Sequence, residues 1–240
     1  MRLDKFLSHS TGLPRAQSRR EINKGKVIVD GKKIKSASFN VDETNNIIFE
    51  KKTLSLPGKT YLMIHKPKGV ICANSDADHA TVIDLIQPAP LNKVSVAGRL
   101  DKDTTGLVLV SDDGQWIHKI ISPNKDCKKT YRVTAAEDIT DDTVEQFKTG
   151  ILLNGEDKPT KPSELLVGTG VGAGVDADNR KIALVTISEG RYHQVKRMFA
   201  ACENRVTELH RQQIGDIILD PDLKEGEHRA LTPEEINSIS

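Results

Sequence analysis

The sequence predicts an α+β fold in two parts, a small helix-and-hairpin module followed by a larger domain built on a mixed, largely antiparallel sheet flanked by helices. Three observations carry this. Residues 1–60 hold 13 Lys+Arg against 6 Asp+Glu and residues 61–240 hold 22 against 28, so a basic module precedes a mildly acidic body. A stretch rich in Lys, Pro and Gly, "KKTLSLPGKT", separates the two. Beyond it, strand-like runs alternate with helix-like segments, and several strands are divided only by loops. The boundaries expected are a module over 1–50, a linker over 51–59 and a larger domain over 60–240.

In the module, Leu3, Phe6 and Leu7 fall at helical spacing, "GLP" ends that helix, and "RAQSRREINKG" predicts a second, with Pro14 near its start and Gly25 as its C-terminal stop. "KVIVDGKKIK" then reads as a hairpin turning at Asp30 and Gly31. On the second helix Arg15, Arg19 and Arg20 gather on one side and Lys24 extends the stripe. Cations so arranged suit the phosphates of RNA, because each contact releases counterions. In the body "YLMIH", "VSVAG", "LVLVS", "YRVTA", "IALVTIS" and "RVTELH" predict strands, and "TVIDLIQ", "GQWIHKIIS", "TDDTVEQFKTG" and "HQVKRMFAACE" predict helices. The Gly-rich "VGTGVGAGVDADN" lacks the spacing of a phosphate-binding loop and precedes a strand, so it reads as a mobile hairpin loop.

Several classes fall away. Cys72, Cys127 and Cys202 are far apart with no CxxC pair, which favours a reducing compartment without structural zinc. No apolar run approaches the roughly 18 residues of a membrane span, and "MRLDKFLSHS" has no signal-peptide core, so a soluble, cytoplasmic protein is expected. Calcium is the remaining metal to weigh. Counted from Asp101, oxygen-bearing residues stand at loop positions one, three and five (Asp101, Asp103, Thr105), Gly106 at six and Asp112 at twelve. The apolar "LVLV" at positions seven to ten and the missing flanking helices speak against an EF-hand. A local turn shaped by Asp103 and Thr104 fits the same residues.

The ordered motifs "RLDKFL…SRREINKGKVIVDGKKIK", "HKPKG", "GRLD-x-x-T-T-G", "KTYRV" and "EGRYHQVKRM" carry a resemblance covering nearly the whole chain. The first is similar to an S4 RNA-binding domain. The others, over about residues 61–215, resemble the RsuA-type pseudouridine synthases, which convert uridine in RNA to pseudouridine. The resemblance implies an isomerase needing no metal or other cofactor, with Asp101 as catalytic carboxylate, Tyr131 stacking on the target base, and Lys196 as the cation beside Asp101. An ionised Asp in a partly buried pocket needs such a fixed partner. Whether the carboxylate attacks ribose C1′ or the pyrimidine ring, or promotes a glycal, stays open.

A nucleotide inside folded RNA must be flipped out to react. The resemblance gives Arg99 the place of the displaced base, and Lys66 and Lys68 a role on phosphate or in supporting the Asp101 loop. Arg191, His193 and Arg197 are expected to bind RNA; on the helix that follows Arg191, Val195, Phe199 and Cys202 share one face, while His193, Lys196 and Arg197 share another that can serve the site. The stretches "DTTGLVLVSDDGQWIHKIISP" and "ELHRQQIG" are most similar to the family branch that acts on 16S rRNA, at the position of uridine 516. A 23S rRNA target and a non-catalytic S4-type RNA-binding protein are the alternatives. The expected partner is 16S rRNA or a small-subunit assembly intermediate, and the expected state a monomer.

Overall fold

The computed structural model describes residues 1–42, 44–55, 58–88, 90, 93–168 and 179–239. The chain divides into two compact units, residues 1–59 with 91–93, and residues 60–90 with 94–240.

In the first unit, α1 (Leu3–Thr11) buries Leu3, Phe6 and Leu7 and stops where Gly12 turns left-handed at φ 73°. Helix α2 (Arg15–Asn23) follows Pro14 and buries Ser18 and Ile22. Strands β1 (Val27–Val29) and β2 (Lys32–Ile34) pair through Asp30 and Gly31, whose φ values of 48° and 79° suit the primed turn of a two-residue hairpin. Strands β3 (Ile47–Phe49) and β4 (Lys52–Leu54) complete an antiparallel sheet in the order β2-β1-β3-β4. The linker expected over 51–59 therefore begins too early. Lys52, Thr53 and Leu54 pair with Phe49, Ile48 and Ile47, because Leu54 can pack on the module's core.

The second unit runs β5 (Tyr61–Lys66), β6 (Ser95–Ala97), β7 (Thr105–Ser111), α3 (Gly114–Ile121), β8 (Lys129–Ala135), α4 (Asp141–Thr149), β9 (Glu164–Val167), β10 (Ile182–Ile187), α5 (Gln194–Ala201), β11 (Val206–Ile214), β12 (Ile217–Ile218), β13 (His228–Ala230) and α6 (Pro233–Ser238). Its sheet has the order β13-β5-β7-β11-β8-β10-β9, with β6 beside β7 and β12 beside β11. The β7–β11 pair is parallel and the other pairs in the sheet are antiparallel. The α+β reading with a mixed, largely antiparallel sheet holds.

All seven residues of β7 are buried, which explains its unbroken apolar run. Val108 and Val110 enter one core with Val133, Phe147 and Phe199, while Leu107 and Leu109 enter another with Trp116 and Ile214. Helix α3 is capped by the Asp113 carboxylate, α4 by Thr140, and α6 by Thr232 and Glu235 in a reciprocal capping box.

The helix expected from "TVIDLIQ" is absent. The Asp84 carboxylate accepts hydrogen bonds from the Thr81 backbone at 2.8 Å and its hydroxyl at 2.9 Å, closing a local turn. Three successive β-branched residues disfavour helix there, and Pro88 bars its extension. Residues 169–178 of the Gly-rich stretch lie outside the described residues. No described helix is long and apolar enough to cross a membrane.

Candidate active site

The segment between β6 and β7, Gly98 to Thr104, is held from below by two buried cations. Lys66 is fully buried, and its ammonium donates to the carbonyls of Thr104 at 2.7 Å, Pro67 at 3.0 Å and Lys102 at 3.4 Å. Burial pushes this amine below the ordinary lysine value. Arg211, 1% exposed, donates to the carbonyls of Leu107 at 2.8 Å, Gly98 at 3.0 Å and Arg99 at 3.5 Å. None of these bonds goes to a carboxylate, so both positive charges stand beneath the loop that carries Asp101.

Gly106 explains how Arg211 comes so close. It sits at φ 108°, and a Cβ there would lie 2.2 Å from the Arg211 carbonyl oxygen. Only a glycine permits this approach of β7 to β11.

Above the loop, α5 presents its N-terminus to Asp101. His193 is left-handed at φ 48° and leaves the helix without a side-chain cap, because its Nε2 instead faces Asp101 Oδ1 at 3.2 Å. Lys196, one turn on, places Nζ 3.0 Å from Asp101 Oδ2 and 2.6 Å from Asp103 Oδ1. Burial lowers the Lys196 pKa, but the bonds to Asp103 and Asp101 outweigh it and the net shift is upward. The same bond to Lys196 holds the Asp103 carboxyl below its ordinary value. The expected Lys196–Asp101 pair is thus present as geometry. The other face of α5 packs Val195, Met198 and Phe199 into the core.

Behind Asp101, Tyr131 on β8 is 8% exposed and stands opposite Arg211 on β11. The guanidinium carbon lies 5.9 Å from the ring centre, and Nη1 is 3.5 Å from the tyrosine hydroxyl oxygen. Asp101, Tyr131, Arg211, Arg99, Tyr192 and His193 line one cleft of about 680 Å³. Clefts of this size hold nucleotide-sized ligands.

The other expected residues divide. Lys68 lines a shallower hollow with Asp101, Asp103, His193 and Lys196. Of the two roles expected for Lys66, complete burial removes the RNA-binding one, since the ammonium cannot meet phosphate, and leaves that of supporting the loop. Arg191 bonds Glu156, Glu189 and the carbonyls of Lys158 and Pro159, and Arg197 bonds Glu156 at 2.6 Å. Both hold the segment between α4 and β9 against α5 instead of standing free. In the first unit, Arg15 at 3.2 Å and Arg19 at 2.8 Å bond the buried Asp4, joined by Arg2 at 3.1 Å, and Lys24 pairs with Glu21 at 2.8 Å. The Arg15 and Arg19 side chains nonetheless remain half exposed beside Arg20.

The calcium alternative fails on geometry. Strand β7 separates Asp101 from Asp112 by about 20 Å, and Asp112 accepts a hydrogen bond from the Thr60 backbone at 2.8 Å. Arg211 was not singled out from sequence. Its signal was its place two residues from the apolar Leu209 in a strand, which turns both to the same buried face.

A basic helical module preceding a cleft with a cation-tethered carboxylate and an inward-facing tyrosine is the plan of an RNA-modifying enzyme. Comparison with known proteins makes that class specific. The family described as RNA pseudouridylate synthase matches residues 60–201 and the S4 domain matches residues 1–47. The chain belongs to the RNA pseudouridylate synthase family, and it is an enzyme, as the motif resemblance implied.

Among its relatives, a protein of Yersinia pestis named ribosomal small subunit pseudouridine synthase A is 47% identical over 240 residues, covering 100% of this chain and 98% of the relative. Its namesake in Escherichia coli K12 is also 47% identical, with both chains fully covered. A crystal structure titled pseudouridylate synthase superposes with a TM-score of 0.69 at 43% identity, covering both chains entirely.

Proposed function

We propose that this enzyme isomerises one uridine of 16S rRNA, at the position of uridine 516, using Asp101 as the catalytic carboxylate on a flipped-out nucleotide. Full-length similarity to enzymes named for the small ribosomal subunit supports the substrate. The observation that carries the mechanism is the Asp101 carboxylate gripped by Lys196 and His193 within a nucleotide-sized cleft.

The reaction breaks the bond between ribose C1′ and N1, turns the uracil and joins C1′ to C5; the C5 proton leaves and N1 takes one up, so that no atom is gained or lost. Nucleophilic attack at C1′, addition to the pyrimidine and proton removal toward a glycal each need one ionised, positioned carboxylate and no cofactor. Lys196 supplies the opposing charge and Tyr131 a flat face for the uracil. Flipping costs roughly a few kcal/mol, and Arg99, on the rim two residues from Asp101, has a planar head suited to fill the vacated stack. The S4 domain holds RNA through Arg15, Arg19, Arg20 and Lys24. The enzyme acts as a monomer in the cytoplasm, where rRNA is transcribed and assembled.

Mapping pseudouridine in rRNA from cells lacking the protein tests the substrate. Loss of the 16S modification is expected, and loss of a 23S site with 16S unchanged overturns the choice. Asp101→Asn keeps the side chain's size and removes its charge, so it should bind RNA and make no pseudouridine. Near wild-type turnover by that variant refutes the assignment.

A further inference from the structure

Tyr192 is the most exposed large apolar side chain among the described residues, at 76%. The protein has three tyrosines, and the other two lie in or against a core. The exposed one is also ordered from both sides. Its ring stacks on the His193 imidazole with centres 3.8 Å apart and planes inclined by 22°. His193 in turn is fixed by Asp101, and Arg191 by Glu156, Glu189 and two carbonyls. The Tyr192 carbonyl accepts a hydrogen bond from Arg197 at 3.2 Å. One face of the phenol is therefore covered by a ring that touches Asp101, and the other is open to solvent at the edge of the cleft.

We propose that Tyr192 is a stacking platform for an RNA base adjoining the target uridine, with His193 as the ring behind it. This rests on the reading of the cleft as an RNA isomerase site and adds to it a subsite for a second nucleotide. A target base that reaches Asp101 leaves its neighbours along the strand at the cleft's edge, where Tyr192 stands. An open aromatic face binds any base by stacking, with little dependence on sequence. Because the ring is already held against His193, little rotamer freedom is lost on binding.

The test uses the full chain carrying Asp101→Asn, so that chemistry does not intervene, and a 16S rRNA fragment with 2-aminopurine beside the target uridine. Binding should quench the probe. Tyr192→Phe, which keeps the face and loses the hydroxyl, should match the parent in Kd and quenching. Tyr192→Ala should abolish quenching and weaken Kd by about five- to a hundred-fold.

Unchanged Kd and quenching in Tyr192→Ala overturns the proposal. So does a Tyr192→Phe variant as weak as Tyr192→Ala. If the wild-type enzyme makes no pseudouridine in the fragment while Tyr192-dependent quenching persists, the choice of 16S target falls and the stacking site stands.

Discussion

Replacing Lys196 by Met removes the cation from Asp101 while keeping most of the packing of the side-chain stem. The magnitude follows from the 3.0 Å contact between Nζ and Oδ2. Coulomb attraction at that separation is about 5.5 kcal/mol at an effective dielectric constant of 20 and about 1.4 kcal/mol in bulk water. The two side chains are 26% and 27% exposed, so solvent screens the pair to a value between these limits. His193, 3.2 Å from the other oxygen, keeps part of the grip. A loss of about 2–3 kcal/mol is expected, or about 30- to 150-fold in single-turnover rate.

Release of tritium from C5-labelled uridine measures that rate directly, because forming the new bond expels the C5 hydrogen. Binding to RNA should change much less. The variant also leaves Asp103 beside Asp101 without the ammonium that held both, so adding Asp103→Asn should restore part of the rate. A Lys196→Met enzyme within about threefold of wild type, or one impaired only in RNA affinity, refutes the reasoning.

Three further expectations follow from the same contacts. Gly106→Ala forces a Cβ to within 2.2 Å of the Arg211 carbonyl at φ 108°, which should cost about 2–5 kcal/mol and lower Tm by about 5–15 °C; a thermal melt within 2 °C of wild type would contradict it. Burial raises the Asp4 carboxyl's pKa, but the bonds from Arg2, Arg19 and Arg15 outweigh it and hold the group well below the usual carboxylate range. The stability it contributes is therefore complete above the unfolded value near pH 4 and lost as pH falls below that toward the depressed folded value. Amide NMR signals of residues 1–59 should show acid unfolding over that window, and Asp4→Asn should destabilise the module already at pH 7 and flatten the dependence. Removing residues 1–59 should weaken RNA binding and reduce the salt slope by about 1–3. The range is below that of four free cations because Lys24 is paired with Glu21, and Arg15 and Arg19 share Asp4; an unchanged slope would show that the module is not the anchor.

Much of this protein was legible in the chain itself. The hairpin at Asp30 and Gly31, both helices of the module, the buried β7 and the two faces of α5 follow from turn chemistry and periodicity, which depend on neighbours a few residues apart. Local reasoning failed at residues 81–87, where the Thr81–Asp84 side-chain bond won over helical spacing. Also missed were β3, β4, β9, β12, β13 and α6, which are short and draw their stability from partners elsewhere.

The candidate site lay partly beyond sequence for the same reason. Asp101 and Lys196 were paired through motif resemblance, but their 3.0 Å contact joins residues 95 positions apart and exists only because α5 packs against the sheet. Support of the Asp101 loop was one of two roles open to Lys66, and nothing local chose between them or marked Arg191 and Arg197 as anchors on Glu156, or Arg211 as the cation beneath the loop. Burial depends on which strands become neighbours, and the parallel pairing of β7 with β11 is made by residues about a hundred positions apart. The sequence alone determined most of the longer elements and which carboxylate to suspect. The tertiary structure decided which charges face RNA and which are spent inside, because a charge's task is set by the solvent and partners around it.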